Sequence, residues 1–226
     1  LPFPSLRPFR SAPRFPAGLA AAGLLWLCGT NVAAEMAPPD GGSLDFAIVR
    51  KGDVIGGYHA DFRRLTDGRT EVRLKVTADV TLGPISLYHF HQVTVEIWRG
   101  ERLATMISDT EEDSEKHHLT VVEDNGDLAL TVDDQTRRIS ADSVPLSLWS
   151  SQMVETHRPI FDSNDGQLYK TESSCEAVAP HAGEGTGLLC QITGELQRSI
   201  RFDAQGLVDD VSFSADDGTH IHYRRH

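Results

Sequence analysis

The chain has 226 residues and is acidic, with 21 Lys and Arg against 33 Asp and Glu, a formal net charge of −12 at pH 7. That balance leaves no basic patch, which argues against nucleic acid and anionic lipid headgroups as partners. Its length is one domain's worth, enough to bury a substantial core without metal or disulfide support.

The N-terminal stretch stands apart from any folding argument. Arg7, Arg10 and Arg14 precede the apolar run Ala17–Leu27, and Val32-Ala33-Ala34 offers small residues for cleavage. A basic start, a short apolar run and an A-x-A-like site predict a secretory signal peptide over residues 1–34 and a periplasmic or secreted destination. The run is too short to span a bilayer comfortably, so no transmembrane segment is expected in the mature protein. Without the leader, residues 35–226 carry 18 basic and 33 acidic side chains, a net charge of −15. Residues 35–43, with Pro38, Pro39, Gly41 and Gly42, read as a flexible lead-in to a single β-domain over 44–226.

From Leu44 the pattern is strand, turn, strand. Leu44–Arg50 alternates, Lys51-Gly52-Asp53 turns, and Val54–Arg64 follows with Gly56 and Gly57 marking a bulge or close backbone approach. Thr70–Val80 alternates cleanly, with Val72, Leu74, Val76 and Ala78 on one face. Gly83-Pro84 breaks the chain before Ile85–Trp98, one long strand with two distinct faces. Ile85, Leu87, His89, His91, Val93, Val95 and Ile97 point one way, and Ser86, Tyr88, Phe90, Gln92, Thr94, Glu96 and Trp98 the other. The aliphatic face is the expected inside. Arg102–Asp109 returns, Thr110–Glu115 reads as an acidic loop tip, and Asp124-Asn125-Gly126-Asp127 joins two further strands by the strongest short hairpin signal in the chain. Thr136–Ser140 is a short strand, and Pro145–Thr156 a short helix or ordered loop. Gln167–Glu172 resumes as strand, Ser173–Gly187 reads as a small-residue loop, Leu188–Asp203 alternates again, and Leu207–Ala215 and His220–Arg225 form a terminal pair. About twelve strands joined by tight turns predict an all-β antiparallel meander, curled into a half-barrel or barrel so that few edges stay exposed.

Several short motifs recur in a characteristic order: Val54-Ile55-Gly56, Glu96-Ile97-Trp98 through Leu103, Pro145-Leu146-Ser147-Leu148-Trp149, Thr193-Gly194-Glu195-Leu196, Phe202-Asp203-Ala204-Gln205-Gly206, and Asp217-Gly218 with Ile221 and Tyr223. In order and spacing they resemble an uncharacterised exported bacterial family, domain of unknown function 6134, across essentially the whole domain. Two positions depart from its pattern: Ser150 stands where an Asn usually follows the Trp, and Ile200 where a Trp usually precedes the aromatic-Asp pair. The resemblance implies a β-rich periplasmic protein similar to other half-barrel families, and no established activity.

The residues that bear chemistry are sparse. His89 and His91 share a strand face, as do His220 and His222; a curled sheet bringing both pairs together would offer four imidazoles to zinc, copper or nickel. No HExxH or CxxC accompanies them. Two mature cysteines, Cys175 and Cys190, would pair in an oxidising compartment if geometry allows; the alternative is two unpaired thiols, Cys190 on an apolar face. Cys28 is a poor lipidation site, because Leu25-Trp26-Leu27 is bulky where a small residue is wanted. No G-x-S-x-G elbow occurs, and the turn carboxylates lack the apolar setting a general acid needs. Gly183-Glu184-Gly185-Thr186-Gly187 looks superficially like a phosphate loop but precedes a strand rather than a helix. The expected function is therefore binding or scaffolding rather than catalysis, with no cofactor. A hydrophobic small molecule or lipid is the leading ligand, lined by Leu74, Val76, Leu87, Val93, Val95, Leu196 and Ile200, with Trp149 at the mouth. The alternatives are a metal held by His89, His91, His220 and His222, and a fully packed core with no ligand.

Overall fold

A computed structural model describes residues 42–83, 85–155, 158–179, 185–215 and 217–226. The proposed signal peptide and most of the proposed lead-in lie outside the described residues. Eight strands run in chain order as a meander: β1 Ser43–Arg50, β2 Asp53–Arg64, β3 Thr70–Leu82, β4 Ile85–Arg99, β5 Arg102–Glu112, β6 Glu115–Asp124, β7 Asp127–Val132 and β8 Gln135–Ile139. A crossing segment, residues 140–170, then contributes three two-residue strands, β9 Val144–Pro145, β10 Ile160–Phe161 and β11 Leu168–Tyr169, which form a small separate sheet. Five longer strands complete the chain: β12 Thr171–Val178, β13 Gly187–Gly194, β14 Arg198–Phe202, β15 Val208–Ser214 and β16 His220–Arg225. The last of them, β16, pairs antiparallel with β1, so the thirteen main strands form one open sheet in the order β12-β13-β14-β15-β16-β1-β2-β3-β4-β5-β6-β7-β8.

Laid flat, thirteen strands would span about 58 Å at the usual inter-strand spacing. Instead, inward side chains from β1 to β8 and from β13 to β16 fall into a single core, which requires the sheet to curl. The expected all-β curled meander is thus the observed fold, and the sheet stays open.

The crossing segment occupies the inner side and carries a 3₁₀ turn at Ser151–Val154 between β9 and β10. Val144, Leu148, Trp149, Met153, Ile160 and Phe161 are all buried within the core. The sequence predicts a short helix or ordered loop here, and the segment is both. Ser150 caps the 3₁₀ turn, its side chain accepting the Gln152 N–H.

Turn chemistry explains the hairpins. Asn125 and Gly126 have φ of 52° and 87°, the left-handed pair that a two-residue hairpin turn needs. Asp133 and Asp134 do the same at φ 45° and 73° without any glycine. Three expectations need correction. Thr110–Glu115 is no loop tip, because β5 and β6 continue through it and turn only at Asp113-Ser114. Ser173–Val178, the first part of the expected loop Ser173–Gly187, is strand: β12 pairs with β13 from Thr171↔Gly194 to Val178↔Gly187, where small polar residues suit an exposed edge. Leu188–Asp203 is two strands, divided after Gly194, whose φ of 106° admits glycine readily.

Candidate functional site

The motifs Glu96-Ile97-Trp98 and Pro145–Trp149 lie about 50 residues apart in sequence and meet on the inner side of β4. Alternation sends Glu96 and Trp98 inward, where both are buried. The Glu96 carboxylate accepts three hydrogen bonds: the Trp98 indole N–H at 2.8 Å and the Trp149 indole N–H at 3.1 Å reach Oε2, and the Ser147 hydroxyl reaches Oε1. Trp98 and Trp149 pack edge to face at 5.5 Å between ring centres, and Phe62 meets Trp149 at the same separation. Two donors come from the crossing segment and one from the sheet, so Glu96 clamps the one to the other. Burial pushes the Glu96 pKa up, and the three donors oppose that shift. Tyr58 is also buried; burial and then the Glu96 charge hold its pKa well above the ordinary value.

Further bonds hold the segment along its length. Gln152 Nε2 donates to the Glu101 carbonyl at 2.8 Å, and Arg158 bonds the same carbonyl. Arg137 donates to the Gly166 carbonyl, and Asn164 to Glu112. At the exit, the Glu195 carboxylate accepts the Lys170 N–H at 2.8 Å. A Cβ on Gly166 would come within 2.8 Å of Leu130 and Val132, so the chain lies hard against the sheet there.

The proposed ligand lining divides between the two faces. Leu74, Val76, Trp149, Leu196 and Ile200 are buried in the core. Leu87 and Val93 are exposed on the outer face, and Val95 is half-buried on it. The expectation that β4 turns its aliphatic face inward is therefore wrong, and Tyr88, Phe90, Thr94, Glu96 and Trp98 point inward instead. The physical reason is the crossing segment. Its Ser147 hydroxyl and Trp149 indole N–H require an acceptor on this side of β4, which Glu96 supplies and an aliphatic face cannot. Trp149, placed at the mouth of a pocket by sequence reasoning, is part of the filling.

The four candidate metal ligands do not converge. His89 and His91 sit on the outer face of β4, and β16 with His220 and His222 lies four strands away, about 19 Å. Individual partners occupy most of these rings. His89 Nδ1 lies 2.6 Å from Asp79, His222 Nδ1 is 3.6 Å from Asp210, and His220 Nδ1 is 3.5 Å from the Ser214 hydroxyl. His59 shares the pattern, 2.6 Å from Asp45 and 3.0 Å from Asp61. Hydrogen bonds donated by the rings to Asp45 and Asp79 raise the His59 and His89 pKa values. Among the described residues no set of three or more His, Cys, Asp or Glu side chains is placed to share a metal.

Cys175 and Cys190 face each other across β12 and β13 and are joined by a disulfide. On the chain-entropy model a loop of this length adds about 3 kcal/mol. Bridging the outermost strand to its neighbour fastens an edge that otherwise has hydrogen bonds on one side only. The glycine run at 183–187 lies partly outside the described residues, and β13 begins at Gly187, so a strand follows it.

The remaining motifs also resolve into structure. Asp203 accepts the N–H groups of Gln205 and Leu207, each at 2.9 Å, and pairs with Arg225. Asp217 accepts the Thr219 N–H and pairs with Arg50; bonding to Thr219 and then Arg50 lowers its pKa to about 2. The model of a family described as Domain of unknown function (DUF6134) matches residues 46–226. The chain belongs to this family. The Glu96 clamp is thus built from two of the stretches that carry the DUF6134 resemblance. A crystal structure of a β-barrel-like protein of domain of unknown function DUF1849 from Brucella abortus is similar in fold, with a TM-score of 0.57 at 9% identity. That likeness covers 81% of this chain and 94% of the other. No curated protein matches. No helix among the described residues is long and apolar enough to cross a membrane.

Proposed function

We propose that this DUF6134 domain is an exported, non-catalytic binding or scaffolding module whose inner face is permanently filled by its own residues 140–170. One observation carries the reading: the three-donor clamp on Glu96 binds the crossing segment where an internal ligand would otherwise lie. The N-terminal signal pattern and the Cys175–Cys190 bridge support export. Glu96 suits an architectural role better than catalysis, because its carboxylate is fully buried and both of its oxygens already accept hydrogen bonds. Of the ligand readings, the packed interior therefore takes precedence over a hydrophobic guest, and contact with partners falls to the outer surface.

Native mass spectrometry of protein taken directly from its host compartment tests this. The expected spectrum shows polypeptide mass alone, with the disulfide formed and neither lipid nor metal attached. A stoichiometric lipid that survives gentle desolvation would restore the internal-ligand reading, and stoichiometric metal would restore the histidine site.

A further inference from the structure

The outer face of the central strands carries an aliphatic patch with nothing over it among the described residues. Val93 is 41% exposed, and Ile107 and Val122 50% each, with Val95 and Ile97 half-buried among them. Strand register makes these neighbours: Val95 lies opposite Ile107, and Ile97 opposite Thr105, which in turn lies opposite Val122. Aliphatic side chains scattered singly over a surface are ordinary, but a contiguous group marks a contact site.

The charges around the patch have an order. Across β2 to β6 the row through Val93 reads His59, Lys75, Val93, Asp109, His118. The next row reads Asp61, Arg73, Val95, Ile107, Thr120. A cation and a carboxylate thus flank Val93 at equal strand spacing, about 5 Å to either side. Among the described residues Lys75 has no ion-pair partner, whereas Asp109 meets only the His118 ring, at 2.7 Å. Both Lys75 and Asp109 are exposed.

We propose that this face is a two-fold interface between two copies of the chain. An axis lying in the interface along β4 carries β3 of one copy over β5 of the other. The row through Val93 then meets its own reverse: Lys75 of each copy faces Asp109 of the other, and Val93 faces Val93. Such a contact is isologous and closes at two copies. In the next row Val95 faces Val95 and Ile107 meets the aliphatic stem of the opposing Arg73, and the roughly 30° crossing of twisted sheets keeps the match close to the axis. A patch confined to β3–β6 buries less than the roughly 800 Å² per partner of stable complexes, so association is reversible, with a dissociation constant on the order of 10–100 µM. The two symmetry-related ion pairs set the register more than they add affinity. This interface does not depend on what fills the inner face.

Sedimentation analysis of the full chain from about 1 to 300 µM, at neutral pH and physiological salt, decides the matter. Wild type is expected to pass from monomer to dimer over that range. Lys75→Glu places acid over acid and weakens association at least tenfold; Asp109→Lys does the same with bases. The double variant Lys75→Glu/Asp109→Lys inverts both charges and restores the dimer. Since both side chains are exposed, the variants keep the wild-type near-UV circular dichroism. A wild type still monomeric at the highest concentration overturns the proposal. So does a dimer indifferent to the single changes, or one that the double change fails to restore.

Discussion

Replacing Glu96 with leucine is expected to cost about 4 kcal/mol, whereas glutamine at the same position costs about 1 kcal/mol or less. Leucine preserves volume but leaves the Trp98 and Trp149 indole N–H groups without an acceptor in a dry interior. Each orphaned donor costs about 1–3 kcal/mol. The Ser147 hydroxyl also loses its acceptor. Glutamine keeps the network, because its oxygen accepts both indoles and its NH2 donates to the Ser147 hydroxyl. Urea midpoints followed by tryptophan fluorescence distinguish the two, and equal stabilities for Glu96→Leu and Glu96→Gln would sink the clamp.

Wild type and Glu96→Gln differ by a pH signature of definite sign. Burial raises the Glu96 pKa above that of an unfolded glutamic acid, so the folded state holds this proton more tightly. The stability linked to it is complete below the ordinary carboxylate range and is lost as pH rises through the raised pKa. Wild type is therefore expected to lose stability relative to Glu96→Gln across that interval, since the amide does not titrate. A gap between the two that widens toward acid in favour of glutamine contradicts the assignment.

Gly56→Ala is expected to destabilise the fold by about 3 kcal/mol or more, while Gly57→Ala, one residue along the same strand, changes stability by about 0.5 kcal/mol or less. A Cβ on Gly56 would lie 1.8 Å from the Thr77 carbonyl oxygen and 2.7 Å from the Ala78 Cα, both backbone atoms of β3. The two strands would have to separate to admit it. At Gly57 the nearest atom is the Phe46 carbonyl oxygen at 3.5 Å, an ordinary contact. Thermal unfolding of both variants checks the contrast, and similar losses at the two positions would show that strand entropy rather than close approach governs this stretch.

These two sites show how unevenly the sequence discloses the fold. Gly56 and Gly57 are legible as a close backbone approach, because glycine inside an alternating strand packs nothing and so marks a bulge or a neighbouring backbone. Strand spacing and the Asn125-Gly126 turn disclose the meander for similar local reasons. The direction of β4 is not local. Alternation reports a period of two without saying which side is buried, and both faces of Ile85–Trp98 contain large apolar groups. Reading aliphatic as inside puts Leu87, Val93 and Val95 in a pocket lining, although apolar residues are common on surfaces. One signal does point the right way: Trp98 and Trp149 both lie in family motifs, and a buried indole N–H needs an acceptor. Glu96 is the nearby anion. The strand character of Ser173–Val178 is hidden by its composition, since Ser173, Ser174 and Glu176 on an edge strand look like loop.

The central claim is that residues 140–170 fill the inner face and are bolted there at Glu96. Hydrogen exchange of the Trp98 and Trp149 indole N–H protons in ¹⁵N-labelled protein tests it most directly. Both protons should be as protected as the amides of the central strands, and both resonances should shift together as Glu96 titrates. Indoles that exchange at the rate of exposed tryptophan, or of which only Trp98 is protected, would mean that the segment leaves the inner face open and that the interior is free for a ligand after all.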